Sequence, residues 1–589
     1  MEGFIEALLV VLQLFCGLAI FLYGMDVMGD ALKKAAGNKL KTLLEKMTSN
    51  PIKGFLLGLI VTAVIQSSSA TTVMVVGFVN SGTMTLLQSV GVIIGANLGT
   101  AVTAWLTAPA AMGQEVDLTW TALLKTDAWM PVLAVIGVVL IMFSKRNKKR
   151  DVGTILIGFA VLMVGMELMS DSVKGIDKEV LGSILTIFEN PVLGVLAGLV
   201  LTVIVQSSSA SVGILQTLTI GGAMKFGMAM PIIVGQNIGT CVTAVLSSIS
   251  ANKNGKRAAI IHLTFNVVAA LIVLPLFYLA NFLFSFVDIS ELTVNAWWIA
   301  GIHTVYKIIA IAIIFPFYKW LEKISRFIVR DNADANETTS LLDERLFETP
   351  SIAVGRATDV TYAMADIAYG ALKDALATYD NYDAKLADGV RELEGKADTY
   401  EDALGSYLVK LSACDMDMQD SAQITKLLHL IGDLERISDH AVNIVEAAEE
   451  KRDKNIEFSS EAQREIGVLK GAVGEILDLT YKALVSGDIK LSAEVEPLEQ
   501  VIDDLRDQIK LNHVLRLQKS ECTIEHGFIL SDILNDFERV SDHCSNIAGC
   551  IVEISQYEAL DMHKYLNQMK DGSEEFDKKY REYKAKYVI

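Results

Sequence analysis

Gln66-Ser67-Ser68-Ser69-Ala70-Thr71-Thr72 is written a second time, as Gln206-Ser207-Ser208-Ser209-Ala210-Ser211, 140 residues further on. Each copy lies near the middle of an apolar segment, about 51–80 and about 191–225. Hydroxyls and a carboxamide are costly in hydrocarbon unless they find partners or line a polar cavity. Each segment therefore reads as two short arms of a re-entrant hairpin with the serines at its tip. Two such tips at matching places in two halves point to one site built by both, the pattern of a secondary transporter with internal repeats.

The duplication extends beyond the serines. Asn50-Pro51 matches Asn190-Pro191, and Gly54, Gly58 and Thr62 match Gly194, Gly198 and Thr202. Gly95-Ala96-Asn97-Leu98-Gly99-Thr100 returns as Gly235-Gln236-Asn237-Ile238-Gly239-Thr240 at the same offset, and Gly24-Met25-Asp26 matches Gly165-Met166-Glu167 one residue out of step. Serines and glycines that merely let helices pack closely would explain one such run, but not a gap-free duplicated block. Spans are expected near 6–28, 84–107, 129–144, 152–170, 229–248, 259–287 and 297–318. Basic clusters follow the first span (Lys33, Lys34, Lys39, Lys41, Lys46), the third (Lys145 to Arg150) and the last (Lys319, Lys323, Arg326, Arg330), and lie between the fifth and sixth (Lys253, Lys256, Arg257). The loops near 109–128 and 286–296 lack them. Basic loops face the cytosol, which places the N-terminus outside and residues 319–589 inside. The hairpins then enter from opposite sides, so the repeats are inverted.

The net charge of −19 argues against nucleic acid as a partner. Six scattered cysteines make no disulfide framework, and the acidic N-terminus lacks the basic flank of a cleaved signal. No nucleotide loop, nucleophile elbow or zinc spacing is present, so an enzyme is not expected. No Lys or Arg lies in the centre of either hairpin. A bound anion would rest on hydroxyls, amides and helix N-termini, which makes a co-transported cation attractive. Candidate binding residues are Gln66, Ser67, Ser68, Ser69, Thr71, Gln206, Ser207, Ser208 and Ser209, with Asn97, Thr100, Asn237 and Thr240 completing the lining. Asp26 and Glu167 are intramembrane or interfacial carboxylates.

The paired Q-S-S-S and G-x-N-x-G-T motifs resemble the type II sodium–phosphate cotransporter family over roughly residues 5–318. The resemblance implies sodium-coupled movement of inorganic phosphate in the lipid bilayer of the cell membrane, with the hairpin serines contributing to the site. His262-Leu-Thr-Phe265-Asn266 and His303-Thr-Val-Tyr306-Lys307 form a looser pair, read as packing. The second departs from the first by carrying Tyr306-Lys307 in place of Phe-Asn.

Residues 351–589 are polar and rich in helical periodicity, with one proline, Pro497. Helices are expected near 351–385, 388–413, 417–450, 459–487, 490–519 and 525–557, giving two antiparallel bundles. Asp433-Leu-Glu435-Arg436-Ile-Ser438-Asp439-His440-Ala-Val-Asn443-Ile444 returns as Asp536-Phe-Glu538-Arg539-Val-Ser541-Asp542-His543-Cys-Ser-Asn546-Ile547. Glu394 and Asp398, Glu435 and Asp439, Glu499 and Asp503, and Glu538 and Asp542 are carboxylates at i and i+4, each pair on one helix face. Facing pairs could hold a divalent metal, or be a solvated acidic face with weak ion pairs. The doubled motif resembles the PhoU family over roughly 351–557, which implies paired three-helix bundles, phosphate regulation and a divalent or iron-type metal cluster.

The chain is thus expected to be all-α. A membrane domain of two inverted repeats with re-entrant hairpins (1–318, repeats about 5–150 and 151–318) precedes a charged linker (319–350) and a cytosolic PhoU-like domain (351–589). The alternatives to a sodium/phosphate symporter are a membrane-anchored phosphate sensor and a phosphate exporter. A homodimer and a cytosolic regulatory partner stay open.

Overall fold

A computed structural model describes residues 2–47, 50–111, 126–176, 178–283, 288–330, 342–556 and 574–589. The loop expected near 109–128 lies largely outside these residues, as do 284–287 and the acidic run Asp331–Glu337. The chain forms two compact units, Met1–Ser351 and Ile352–Ile589. Helix dominates both, and the β-structure among the described residues is one isolated bridge, Lys225 to Thr293.

In the first unit the helices are α1 (Glu2–Met47), α2 (Pro51–Ile65), α3 (Ser68–Asn80), α4 (Leu86–Gly99), α5 (Ala101–Thr107), α6 (Thr126–Phe143), α7 (Asn147–Lys174) and α8 (Lys178–Thr186). The second repeat continues with α9 (Pro191–Val205), α10 (Ser208–Leu218), α11 (Phe226–Gly239), α12 (Cys241–Ser247), α13 (Lys253–Leu283), α14 (Ala296–Ile314) and α15 (Tyr318–Ile328). Six stretches of the described residues are long and apolar enough to cross a membrane: Leu8–Ala36, Leu86–Thr107, Asn147–Lys174, Phe226–Ser247, Lys253–Leu283 and Ala296–Ile328. The expected span 129–144 falls on a shorter apolar helix, Ala128–Phe143.

The hairpin arms α2 and α3 have 15 and 13 residues, and α9 and α10 have 15 and 11. A span needs roughly 20, so neither arm crosses alone. Asn50 and Asn190 cap the entering arms from their side chains, each with proline as the first helical residue, which costs nothing where the N–H is unpaired anyway.

Helix contact here relies on close backbone approach, since lipid removes the hydrophobic drive between helices. α2 runs beside α4 so closely that a Cβ on Gly58 would sit 2.0 Å from the Val92 carbonyl oxygen, and one on Gly95 would sit 1.9 Å from that of Phe55. The second repeat reproduces the contact between α9 and α11, with 2.0 Å from Gly198 to the Ile232 oxygen and 1.9 Å from Gly235 to that of Val195.

The hairpins open toward opposite faces. At one face the end of α3 meets the 248–254 turn, where Asn252 donates from its main chain to Asn80 Oδ1 at 2.6 Å. At the other, Lys225 beyond α10 pairs with Glu189 before α9 at 3.4 Å and with Glu291 at 2.7 Å.

The stretch expected as a charged linker is partly built into this unit. Tyr318–Ile328 extends α14 as the amphipathic helix α15, burying Leu321 and Ser325 and leaving Trp320 and Phe327 exposed. Residues 342–349 form a strap around a short 3-10 turn, Glu344–Glu348. Asp343, 4% exposed, accepts from Asn80 Nδ2 at 2.7 Å, and Arg345 bonds Asp343 at 2.7 Å and the Ser247 carbonyl at 2.7 Å. Asp343 and Arg345 are thus held against α3 and the end of α12.

The second unit contains α16 (Pro350–Asp380), α17 (Ala384–Ser412), α18 (Met418–Asp453), α19 (Ser460–Ser486), the one-turn α20 (Ile489–Ser492), α21 (Val495–Gln518), α22 (Ile524–Gln556) and α23 (Glu574–Lys586). Its helices bury regularly spaced apolar residues, such as Leu427, Leu430, Leu434 and Ile437 on α18. The two doubled motifs face each other across α18 and α22. His440 Nδ1 lies 2.9 Å from Asp536 Oδ1, and His543 Nδ1 lies 2.9 Å from Asp433 Oδ1. Asn443 and Asn546 add bonds to the same two carboxylates.

Candidate functional site

Both serine motifs break their segments by the same local device. Gln66 (φ 60°) and Gln206 (φ 55°) take the left-handed conformation, which non-glycine residues seldom adopt without a reason in the surrounding structure. Their N–H groups bond back to Thr62 and Thr202, each at 2.8 Å. Ser67 and Ser207 then cap the returning helices by accepting from the Ala70 and Ala210 main chains at 3.2 Å. The arms are tied across the break by Thr62 to Thr71 at 3.1 Å and by Thr202 to Ser211 at 2.9 Å. The first turns of α3 and α10 therefore begin at the two tips, the end of a helix that attracts anions.

The tips meet at a cavity of about 470 Å³. Its lining includes Gln66, Ser67, Ser68 and Ser69 from one hairpin, and Ser207, Ser208 and Ser209 from the other. α1 closes a further side with Asp26, Asp30 and Lys33, and Glu348 of the strap lies at the same cavity. Lys33 Nζ is 3.1 Å from Asp30 and 3.6 Å from Glu348. Lys33 and Glu348 were not among the sequence candidates. In the sequence Lys33 belongs to a basic loop, and only the tertiary fold turns it toward the serines.

A second, small cavity of about 10 Å³ is lined by Ser69, Thr202, Gln206, Ser208, Thr240 and Thr243, among others. Thr240 thus joins the tips. The remaining polar candidates are used elsewhere: Thr71 bonds Thr62 and the Ser67 carbonyl, Thr100 bonds the Ala96 carbonyl and Asn237 bonds the Ile233 carbonyl. Asn97 donates to Asn266 Oδ1 at 2.8 Å, and its own main-chain oxygen accepts from Lys307 Nζ at 2.6 Å. Lys307 is 3% exposed. The sequence signal for it was the Tyr-Lys departure in the second H-x-x-x-x motif.

In the second unit the expected carboxylate pairs come within electrostatic reach. Burial, then Asp439 and Asp398, raises the Glu394 carboxyl above its ordinary value. Burial and Asp439 do the same to Glu435, and burial with Glu538 and Asp503 to Asp542. Among the described residues no group of three or more His, Cys, Asp or Glu stands where it could hold a metal ion. Arginines pair with several of these carboxylates. Arg506 lies 2.6 Å from Glu538 and 3.5 Å from Asp503, and Arg436 and Arg539 pair with Asp439 and Asp542.

Paired broken helices around one cavity, in inverted repeats, define the first unit as a secondary-transporter fold. Comparison with known proteins makes this specific. The Na+/Pi-cotransporter family matches residues 20–171 and 161–287, and the PhoU domain matches 361–448 and 467–551. The chain belongs to the Na+/Pi-cotransporter family and carries a PhoU domain. A Salmonella typhimurium protein with the provisional name inorganic phosphate export protein YjbB is 25% identical over 560 residues, 93% of this chain and 98% of that one. YqeW of Bacillus subtilis, whose name gives no function, is 30% identical over 46% of this chain and 83% of its own. The sodium-dependent phosphate transport protein 2A of Rattus norvegicus is 34% identical over 146 residues, 22% of this chain and 23% of that one.

Proposed function

We propose that the protein moves inorganic phosphate across the cell membrane, coupled to sodium, by alternating access between its two repeats. The observation that carries this reading is the cavity of about 470 Å³ bordered by both Q-S-S-S tips. Two helix N-termini and a set of hydroxyls suit a tetrahedral oxyanion. The charged lining does not suit it alone, for Asp26, Asp30 and Glu348 outnumber Lys33. An anion entering by itself meets a net negative wall, and accompanying sodium ions offset it. The small oxygen-rich cavity beside Gln206 and Thr240 has about the volume of one water-sized sphere, a size suited to a dehydrated sodium ion.

We place the basic loops and the PhoU domain in the cytosol by the positive-inside rule. The main cavity then faces inward, since it reaches the tips from the side of Lys33 and Glu348. The strap that contributes Glu348 runs directly into α16, a covalent route by which the PhoU domain would regulate access. Net direction follows the gradients, so the export named for the Salmonella relative and the sodium-dependent transport named for the rat relative are both compatible with one cycle. Radiolabelled phosphate flux in proteoliposomes of the full chain tests this. Accumulation under an inward sodium gradient, and not under an equal potassium gradient, is expected. Equal flux in both would remove sodium coupling, and no flux in either direction would overturn transport.

A further inference from the structure

α13 and α14 carry related motifs, and both send the fifth residue of the motif to the same turn. Asn266 meets the side chain of Asn97, and Lys307 meets the main-chain oxygen of Asn97. That oxygen belongs to the last turn of α4, just before Gly99-Thr100. Carbonyls in the last turn of a helix carry partial negative charge and attract cations. In broken-helix transporters, carbonyls of this kind are where a coupling cation is held.

Here the cation is part of the chain. The Lys307 ammonium is buried, its partner among the described residues is a carbonyl and not a carboxylate, and it does not line the cavity between the serine tips. A lysine that served as an anion ligand would point into that cavity. One that merely snorkelled would reach the interface. Instead its charge is spent on the end of α4, where the amide at the matching motif position, Asn266, brings none.

We propose that Lys307 is a resident cation that occupies the place of one coupling sodium ion at the α4–α5 break, so that this transporter couples phosphate to one sodium fewer than a chain with an amide at that position. The proposal rests on the phosphate-transport reading above. The bond from Lys307 Nζ satisfies the carbonyl with a group of the chain itself. No ion has to bind or leave there.

The test uses the full chain with Lys307→Asn, Lys307→Met and Lys307→Arg. Thermal unfolding in detergent is followed against sodium chloride, with potassium chloride keeping the ionic strength fixed. Lys307→Asn should show a larger sodium-specific rise in Tm than the unaltered chain, whose own rise reports only its remaining coupling sodium, by linkage of ion binding to the folded state. Lys307→Arg should behave as the unaltered chain, and Lys307→Met, with neither charge nor oxygen, should lose stability that sodium does not restore. In proteoliposomes the sodium dependence of phosphate flux should steepen by one ion in Lys307→Asn. A Lys307→Asn protein whose Tm and flux respond to sodium as the unaltered chain does would overturn the proposal. So would a Lys307→Asn protein that stays unfolded at every sodium concentration, because sodium would then not replace the ammonium. If the unaltered chain moves no phosphate, the functional reading fails, and the unfolding measurements still decide the role of Lys307.

Discussion

The two hairpins share a sequence, a break and a set of caps, yet the unit holds them differently. Gln66 at the first tip is 5% exposed and accepts from Thr103 Oγ1 at 2.9 Å. Gln206 at the second is exposed and lines the small cavity with Thr243, the residue that corresponds to Thr103. Thr243 donates to the Thr240 carbonyl at 3.0 Å. The arm α2 buries Leu57, Val61 and Ile65 besides Gly54, Gly58 and Thr62, whereas α9 buries only Gly194, Gly198 and Thr202. Local chemistry is thus duplicated, and the contacts around it are not. Inverted repeats can exchange such roles between two states.

The largest effects should fall on what the hairpins share. Gly95→Leu and Gly235→Leu each drive a side chain into a backbone oxygen already 1.9 Å from an added Cβ. Overpacking costs about 1–3 kcal/mol, and more where the clash is with backbone, so both variants should lose folded protein to a similar extent in fluorescence-detected gel filtration. A well-folded Gly235→Leu beside an unfolded Gly95→Leu would break the equivalence at the scaffold itself. Next come the tips. Ser68→Phe and Ser208→Phe fill the common cavity from opposite repeats, and each should reduce phosphate flux in proteoliposomes to background while leaving expression intact. Retained flux in one of them would mean that the site belongs to a single hairpin.

Much of the shared part was legible in the sequence because it is local or strictly repeated. The polar run breaks an apolar segment, Asn-Pro starts each arm, and Gly58 and Gly95 recur at one offset as Gly198 and Gly235. In the PhoU domain six long helices follow from periodicity within a few residues, since α16 to α22 bury regular apolar faces. What stayed hidden depends on residues far apart in the chain. Nothing near Lys33 says that it borders the serines, and nothing near Asp343 says that it will be buried against Asn80. The doubled D-x-E-R-x-S-D-H motif was read for its i and i+4 carboxylates, whereas Asp433 and Asp536 spend themselves on His543 and His440 across the bundle. Partner choice between helices is not written in the spacing along either one.

The strap of residues 342–349 bonds to the first hairpin. Asn80 binds Asp343 and the main chain of Asn252 together, and the residue at the corresponding place in the second repeat is Ile220. Asn80→Ala removes both bonds and leaves the buried Asp343 carboxylate with less to accept from. Loss of a hydrogen bond to a buried charge costs about 1.5–3 kcal/mol. Limited proteolysis of the full chain should then cut between residues 330 and 350 faster, while Ile220→Ala should leave that rate unchanged. Unchanged cleavage in Asn80→Ala would mean that the strap is held by its other contacts, Arg345 on Ser247 and Glu348 with Lys33 among them.

The smallest effect is the most informative about the cycle. Thr103→Val keeps the shape of the side chain and leaves Gln66 Oε1 buried without its donor, at a cost of about 1–3 kcal/mol. Thr243→Val removes a hydroxyl that bonds only within its own helix region and should cost little in this state. If the repeats exchange roles, Gln206 and Thr243 form the matching bond in the opposite state, and the cost of Thr243→Val falls there. The two variants should therefore shift the balance of states in opposite directions, each by up to about tenfold per 1.4 kcal/mol of lost bond. The rate at which a cysteine placed at Ser69 reacts with a membrane-impermeant thiol reagent from the strap side reads that balance. It should fall in Thr103→Val and rise in Thr243→Val. Shifts in the same direction would show that the Gln66–Thr103 bond is fixed scaffolding, and that the asymmetry of the hairpins belongs to the protein and not to one state of it.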